Sequence, residues 1–223
     1  MSSRPATSWP RELADLPYAA ALARHDGRPL AADSDYDTVH FDKDAFDAPD
    51  APGARFLECA FTGASVTGGG LRRCRFIDAW LRDVRITLTD LAETQWSDAT
   101  LAGGVVAGVQ AFGARLDRVV FAGCKLDSVN FREARLTGVT FTDCLLRDVD
   151  FSGAKLRQTV FTGCRLSGAD FSRAELDRVD LRGSELGLIV GPQPLRGAII
   201  SSGQLAAIAP VLADALGIVV DDE

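Results

Sequence analysis

A large apolar residue recurs at almost every fifth position from Tyr36 to Leu186. The series runs Tyr36, Phe41, Phe46, then Phe56, Phe61, Val66, Leu71, Phe76, Leu81, Ile86, Leu91, Trp96, Leu101 and Val106, and after Ala111 continues from Leu116 through Phe121, Leu126, Phe131 and so on to Leu186. Two residues ahead of each stands a smaller one, such as Ala54, Cys59, Ala64, Cys74, Val119, Val139 or Ala169. A period of five fits neither a helix at 3.6 nor a pleated strand at 2, so the chain must turn a corner every five residues. If each side supplies one large and one small inward residue, successive coils stack like on like at the ordinary inter-strand spacing of about 4.8 Å. Glycine is frequent two residues after the large position, as at Gly63, Gly103, Gly123 and Gly163, where a type II corner needs positive φ. The register predicts Phe121, Phe141 and Phe161 in one stack and Phe131, Phe151 and Phe171 in another opposite it.

The stretch Ala169-Asp170-Phe171-Ser172-Arg173-Ala174-Glu175-Leu176-Asp177-Arg178-Val179-Asp180-Leu181-Arg182-Gly183 holds three nearly regular copies of Ala-(Asp/Asn)-Leu-X-X. It resembles the pentapeptide-repeat family, and the resemblance holds one register over about two thirds of the chain. The resemblance implies an all-β right-handed quadrilateral β-helix with four five-residue sides per coil, followed here by a short C-terminal α-helix.

Three regions are expected. Residues 1–33 carry prolines and lack the five-residue beat; they read as a cap or arm over the first coil, whose strand edge would otherwise be open. Residues 34–200 form the β-helix, with soft spots at Pro49, Ala51 and Pro52 and again at Gly104 and Ala111. Gly191-Pro192-Gln193-Pro194 interrupts the register, and Leu195, Ala198 and Ile200 resume it shifted by one residue. Residues 201–223 supply a helix with Ser201 or Ser202 as N-cap and Gly217 as its stop, kinked at Pro210, then a short strand Ile218-Val219-Val220. Leu205, Ile208, Leu212 and Leu216 make an apolar stripe that predicts a homodimer interface.

Composition changes this picture little. The 223 residues are 47% hydrophobic and 25% charged, ordinary for a folded soluble chain. No apolar run reaches the roughly 20 residues of a membrane span, and the first ten lack the layout of a secretory signal, so a cytoplasmic location is expected. All five cysteines fall in the small inward position, with Cys124, Cys144 and Cys164 twenty residues apart. They read as buried free thiols: stacked side chains suit a relaxed disulfide poorly, and no CxxC pair or nearby histidine completes a metal site. No cofactor, metal or catalytic residue is expected, because the polar residues recur as equivalent ladders with no unique nucleophile, acid or phosphate loop.

The net charge of −7 is uneven: residues 71–186 hold 17 Lys and Arg against 16 Asp and Glu, and the acidic excess sits at the ends. The outward column just before the large residue is basic on one side (Arg55, Arg75, Arg115, Arg135, Lys155) and acidic on the side before it (Asp50, Asp90, Asp150, Asp170). A third side is nearly uncharged, with Trp80 and Val120, and an apolar flat face often marks an interface. The leading expectation is therefore a non-catalytic protein–protein interaction scaffold that meets its partner through the face of Trp80 and Val120. The alternative comes from the resemblance: some family members mimic B-form DNA, occupy the DNA saddle of DNA gyrase or topoisomerase IV and protect it from quinolone antibiotics or toxins. Their terminal helix joins two rods, and Asp90, Asp150 and Asp170 would then stand in place of phosphates. No direct nucleic-acid or membrane contact is expected.

Overall fold

A computed structural model describes residues 9–188, 195–215 and 217–220. The five-residue beat becomes a four-sided coil in which each strand pairs in parallel with the strand one coil later. The first side begins at Asp35–Asp37 and ends at Glu175–Asp177 as an eight-stranded parallel sheet. The second, from Ala23–Arg24 through Val39–Asp42 to Ala198–Ile199, is a ten-stranded sheet, and the third, from Ala45–Asp47 to Glu185–Leu188, has eight strands. The fourth side is different. It has single bridges, Asp50↔Gly70, Gly70↔Asp90, Asp90↔Gln110, Gln110↔Asn130, Asn130↔Asp150 and Asp150↔Asp170, each followed by a tight turn instead of a strand.

The core is one continuous cluster from Leu30 to Leu181. On the second side Phe121, Phe141 and Phe161 stack with centroids 4.8 and 4.6 Å apart and planes within 7°. On the opposite, fourth side Phe131, Phe151 and Phe171 stack at 5.5 and 5.0 Å, as the register requires. Ala51 is fully buried in the large position of the fourth side despite its flanking prolines. The second soft spot is a packing defect: Val106, Val109, Ala111 and Leu101 help line an apolar void of about 30 Å³.

Corners are left-handed whether or not glycine occupies them. Asp83, Leu88, Glu93, Asp98, Arg118 and Arg173 all sit at φ between 53° and 60°, held there by the ladder bonds of the coils on both sides. Some glycines are also fixed by space: at Gly69, φ +70°, a Cβ would lie 2.2 Å from the carbonyl oxygen of Pro49, and at Gly197, φ +92°, 2.1 Å from that of Leu176.

Both ends of the coil are closed with polar groups. At the start, Ala23–Arg24 pairs with Val39–His40, and the His25 ring covers Phe41 at 4.6 Å while its Nδ1 lies 2.7 Å from Asp44 Oδ1. At the far end, Val179 pairs with Ala198 and Asp180 with Ile199, one residue short of the usual twenty, which is the register shift read from Leu195, Ala198 and Ile200. The C-terminal helix then spans Ser202–Ala215 with Pro210 inside it. Its start is a reciprocal cap: Gln204 N–H donates to Ser201 Oγ at 3.2 Å and Ser201 N–H donates to Gln204 Oε1 at 2.8 Å. Gln204 Nε2 also donates to the carbonyls of Leu181 and Ser184, at 2.6 and 2.7 Å, which fastens the helix to the last coil.

Ile218–Val220, expected as a short strand, lie outside any strand and are exposed, because no described sheet edge pairs with them. The interruption at Gly191–Pro194, Leu216 of the apolar stripe, and the acidic tail 221–223 lie outside the described residues. No described helix is long and apolar enough to cross a membrane.

Candidate interaction surfaces

The outward column of the fourth side does bring Asp90, Asp150 and Asp170 into one file, but each carboxylate turns back on its own backbone. Asp90 Oδ1 accepts the N–H of Ala92 at 2.9 Å, Asp150 Oδ1 that of Ser152 at 2.8 Å, and Asp170 Oδ1 that of Ser172 at 2.7 Å. Asn130 makes the same bond to Arg132 N–H at 3.0 Å. These are Asx-turns, which occupy the carboxylates at these rungs with local backbone bonds. Asp90 is also paired with Arg72 at 2.8 Å and Asp150 faces Arg132 at 3.9 Å. The file is acidic in composition and partly neutralised in place.

Trp80, expected on an open contact face, is instead covered by the chain's own N-terminal segment. Residues 10–22, with short 3-10 turns at Leu13–Asp15 and Ala19–Ala21, run over the second side. There Leu16 and Tyr18 form a second apolar cluster with Ala60 and Trp80. Trp80 Nε1 donates to Pro10 O at 3.0 Å, Arg82 Nη1 to Arg11 O at 2.8 Å, and Tyr18 Oη to Asp78 O at 2.5 Å. The indole is left 3% exposed. Burial raises the Tyr18 phenol well above its usual range, so it remains a hydrogen-bond donor. Val120, further along the same side, is 9% exposed. Further along this face Thr140, Thr142 and Val160 are half-buried and Thr162 is exposed, two in-register rungs with no charge.

The helix stripe is divided between two roles. Ile208 is 7% exposed and packed inward, whereas Leu205 is 50% exposed, with Val211 also open and Leu212 half-buried.

Elsewhere the surface is laced by ion pairs one coil apart. Arg118 grips both oxygens of Asp98 at 2.6 Å, which holds that carboxyl below its usual range; Arg147 pairs with Asp127, and Arg165 with Glu185 at 2.7 Å. Isolated exposed pairs of this kind each stabilise by a few tenths of a kcal/mol to about 1 kcal/mol.

All five cysteines are free and buried. Their thiols donate to carbonyls of the preceding coil, for example Cys74 to Ala51 O at 3.1 Å and Cys144 to Phe121 O at 3.4 Å. Burial pushes the Cys59 and Cys74 thiols up to about 11. Cys144 is raised by hydrogen bonding with Cys124 and Cys164, with burial adding to it. No group of three or more His, Cys, Asp or Glu among the described residues is placed to hold a metal ion.

A coil of this construction, with inward Leu or Phe every five residues, defines a repeat solenoid. Residues 114–189 match the model of the pentapeptide repeat region. No curated protein sequence matches it. Among solved structures, it is similar to QnrB1 treated with trypsin, described as a plasmid-mediated fluoroquinolone resistance protein, at 25% identity and TM-score 0.46 over 89% of this chain and 94% of that one. It is also similar to HetL, a pentapeptide-repeat protein involved in heterocyst differentiation regulation from the cyanobacterium Nostoc sp. strain PCC 7120, at 21% identity and TM-score 0.48 over 79% and 93%. A third is Rfr23 from the cyanobacterium Cyanothece 51142, at 17% identity and TM-score 0.45 over 53% and 91%.

Proposed function

We propose that this protein is a non-catalytic interaction scaffold, a β-solenoid rod that presents fixed side-chain ladders to a protein partner in the cytoplasm. The observation that carries the reading is the uncharged patch of the second side, half-buried Thr140, Thr142 and Val160 with exposed Thr162, on a rod whose other sides carry charge. A flat patch of this kind buries without the cost of desolvating ions. Five buried thiols suit a reducing compartment. Thr140→Arg with Val160→Arg points both new charges outward, so the fold should survive. Affinity capture from the source cells should then retain with wild type a protein that the double variant loses. Identical captured sets would place the contact elsewhere.

The second reading is modulation of DNA gyrase or topoisomerase IV by DNA mimicry, conferring protection from quinolones. What favours it is the file Asp90, Asp150 and Asp170; against it stand the neighbouring Arg72 and Arg132. Asp150→Asn with Asp170→Asn separates charge from structure, since Asn130 already makes the same turn bond. On this reading wild type changes supercoiling by gyrase at low salt and the double variant does not; an inert wild-type protein ends it.

Homodimerisation through the helix belongs to either reading. Leu205 is the exposed member of the stripe, and Leu205→Asp should yield a folded monomer from a dimeric wild type in sedimentation. A wild type already of monomer mass would make the helix an end lid only.

A further inference from the structure

Several charge-ladder rungs set opposite charges together, but like charges also stack, as at Asp150↔Asp170 and Arg55↔Arg75. Across neighbouring coils, Arg118 meets Asp98, Arg147 meets Asp127, Arg165 meets Glu185 and Arg55 meets Asp35. On the first side, by contrast, Arg115 pairs in register with Arg135, and Arg135 with Lys155. Like charges directly opposite on a ladder destabilise it. Lys155 is relieved by Glu175 at 2.8 Å, but Arg115 and Arg135 form no ion pair among the described residues, nor does Arg173.

Arg135, Lys155 and Arg173, but not Arg115, converge with Arg132 on an open groove of about 470 Å³ at the corner between the fourth and first sides. Its lining includes Gly153, where no side chain intrudes, and a single carboxylate, Glu133. Arg132 lies 3.9 Å from Asp150, a loose pairing that leaves its fork available.

We propose that this groove binds a small ligand bearing two or more phosphoryl groups. Guanidinium forks take phosphoryl oxygens bidentately, and a multivalent anion would bridge cations on successive coils and remove the like-charge stacking. The volume falls within the range of small-molecule sites. A long nucleic acid is disfavoured, because the chain carries a net charge of −7 and Asp117 and Asp177 lie on the same side. The inference is independent of the scaffold reading and of the gyrase reading.

Calorimetric titration with inorganic tripolyphosphate at low salt tests it. The expected result is saturable one-to-one binding, weakened about tenfold or more by Arg135→Gln with Arg173→Gln and unchanged by Arg85→Gln on the third side. Orthophosphate should bind at least about tenfold more weakly, having one phosphoryl group. Without ligand, the Arg135→Gln, Arg173→Gln protein should melt close to wild type, since neither guanidinium makes an ion pair among the described residues and the relieved repulsion offsets the attraction between Arg135 and Glu175. Absence of saturable binding, equal loss in Arg85→Gln, orthophosphate binding as tight as tripolyphosphate, or binding only to a single-stranded oligonucleotide would each overturn the proposal.

Discussion

Phe141→Ala should destabilise the rod by about 3–5 kcal/mol, the cost of deleting a large ring from a core that cannot close over the gap. Phe141 is fully buried, with Phe121 4.8 Å below and Phe161 4.6 Å above. The strands that carry these rings are pinned to one another in register, Phe121↔Phe141↔Phe161, so neither neighbour can descend without breaking a ladder on both sides. In a solenoid each coil contacts only its neighbours, and a void in the middle weakens two interfaces at once. Denaturant melts of the variant against wild type measure the loss. A change below about 1 kcal/mol would mean that the stack relaxes freely, contrary to the pinned-rung account.

The coil and its core were readable because they are written locally: every five residues repeat the same choice, and the two Phe stacks fall where the count puts them. Contacts distant in sequence left no such trace. Trp80 and Pro10 are far apart along the chain, and the segment around Pro10 has no period, so the outward indole looked like free surface when it is the anchor of the N-terminal arm. The acidic file was legible as a column, yet its local use was not; the signal available was Asp or Asn two residues ahead of a turn N–H, which is Asx-turn chemistry and recurs at Asp180 on the second side. Gln204 was within reach of sequence reasoning too, since Ser201 and Gln204 have capping-box spacing. Its second task, bonding Leu181 and Ser184 of the coil beneath, depends on how the last coil ends. Corners without glycine, such as Leu88 at φ 54°, were invisible because the ladder, and not the residue, imposes the conformation.

Alkaline pH should weaken the fold through its buried thiols, by an amount comparable with the loss of a core ring. Cys59 and Cys74 ionise near 11 in the folded chain against an ordinary value of 9.0, because burial penalises the thiolate. The folded state therefore holds these protons where the unfolded chain releases them. Their contribution is intact below about pH 9 and is lost progressively as pH rises from 9 towards 11, at about 2–3 kcal/mol for each thiol shifted by two units. Denaturant melts at pH 7.5, 9 and 10.5 should show this fall. Lysines and tyrosines titrate in the same window, so the comparison is with Cys59→Ala, Cys74→Ala, whose alanines match Ala54 and Ala79 in the same inward columns. That protein should be slightly less stable at neutral pH and visibly flatter above pH 9. A slope as steep as that of wild type, or rapid thiol labelling without denaturant, would show that these sulfurs reach water in the native rod.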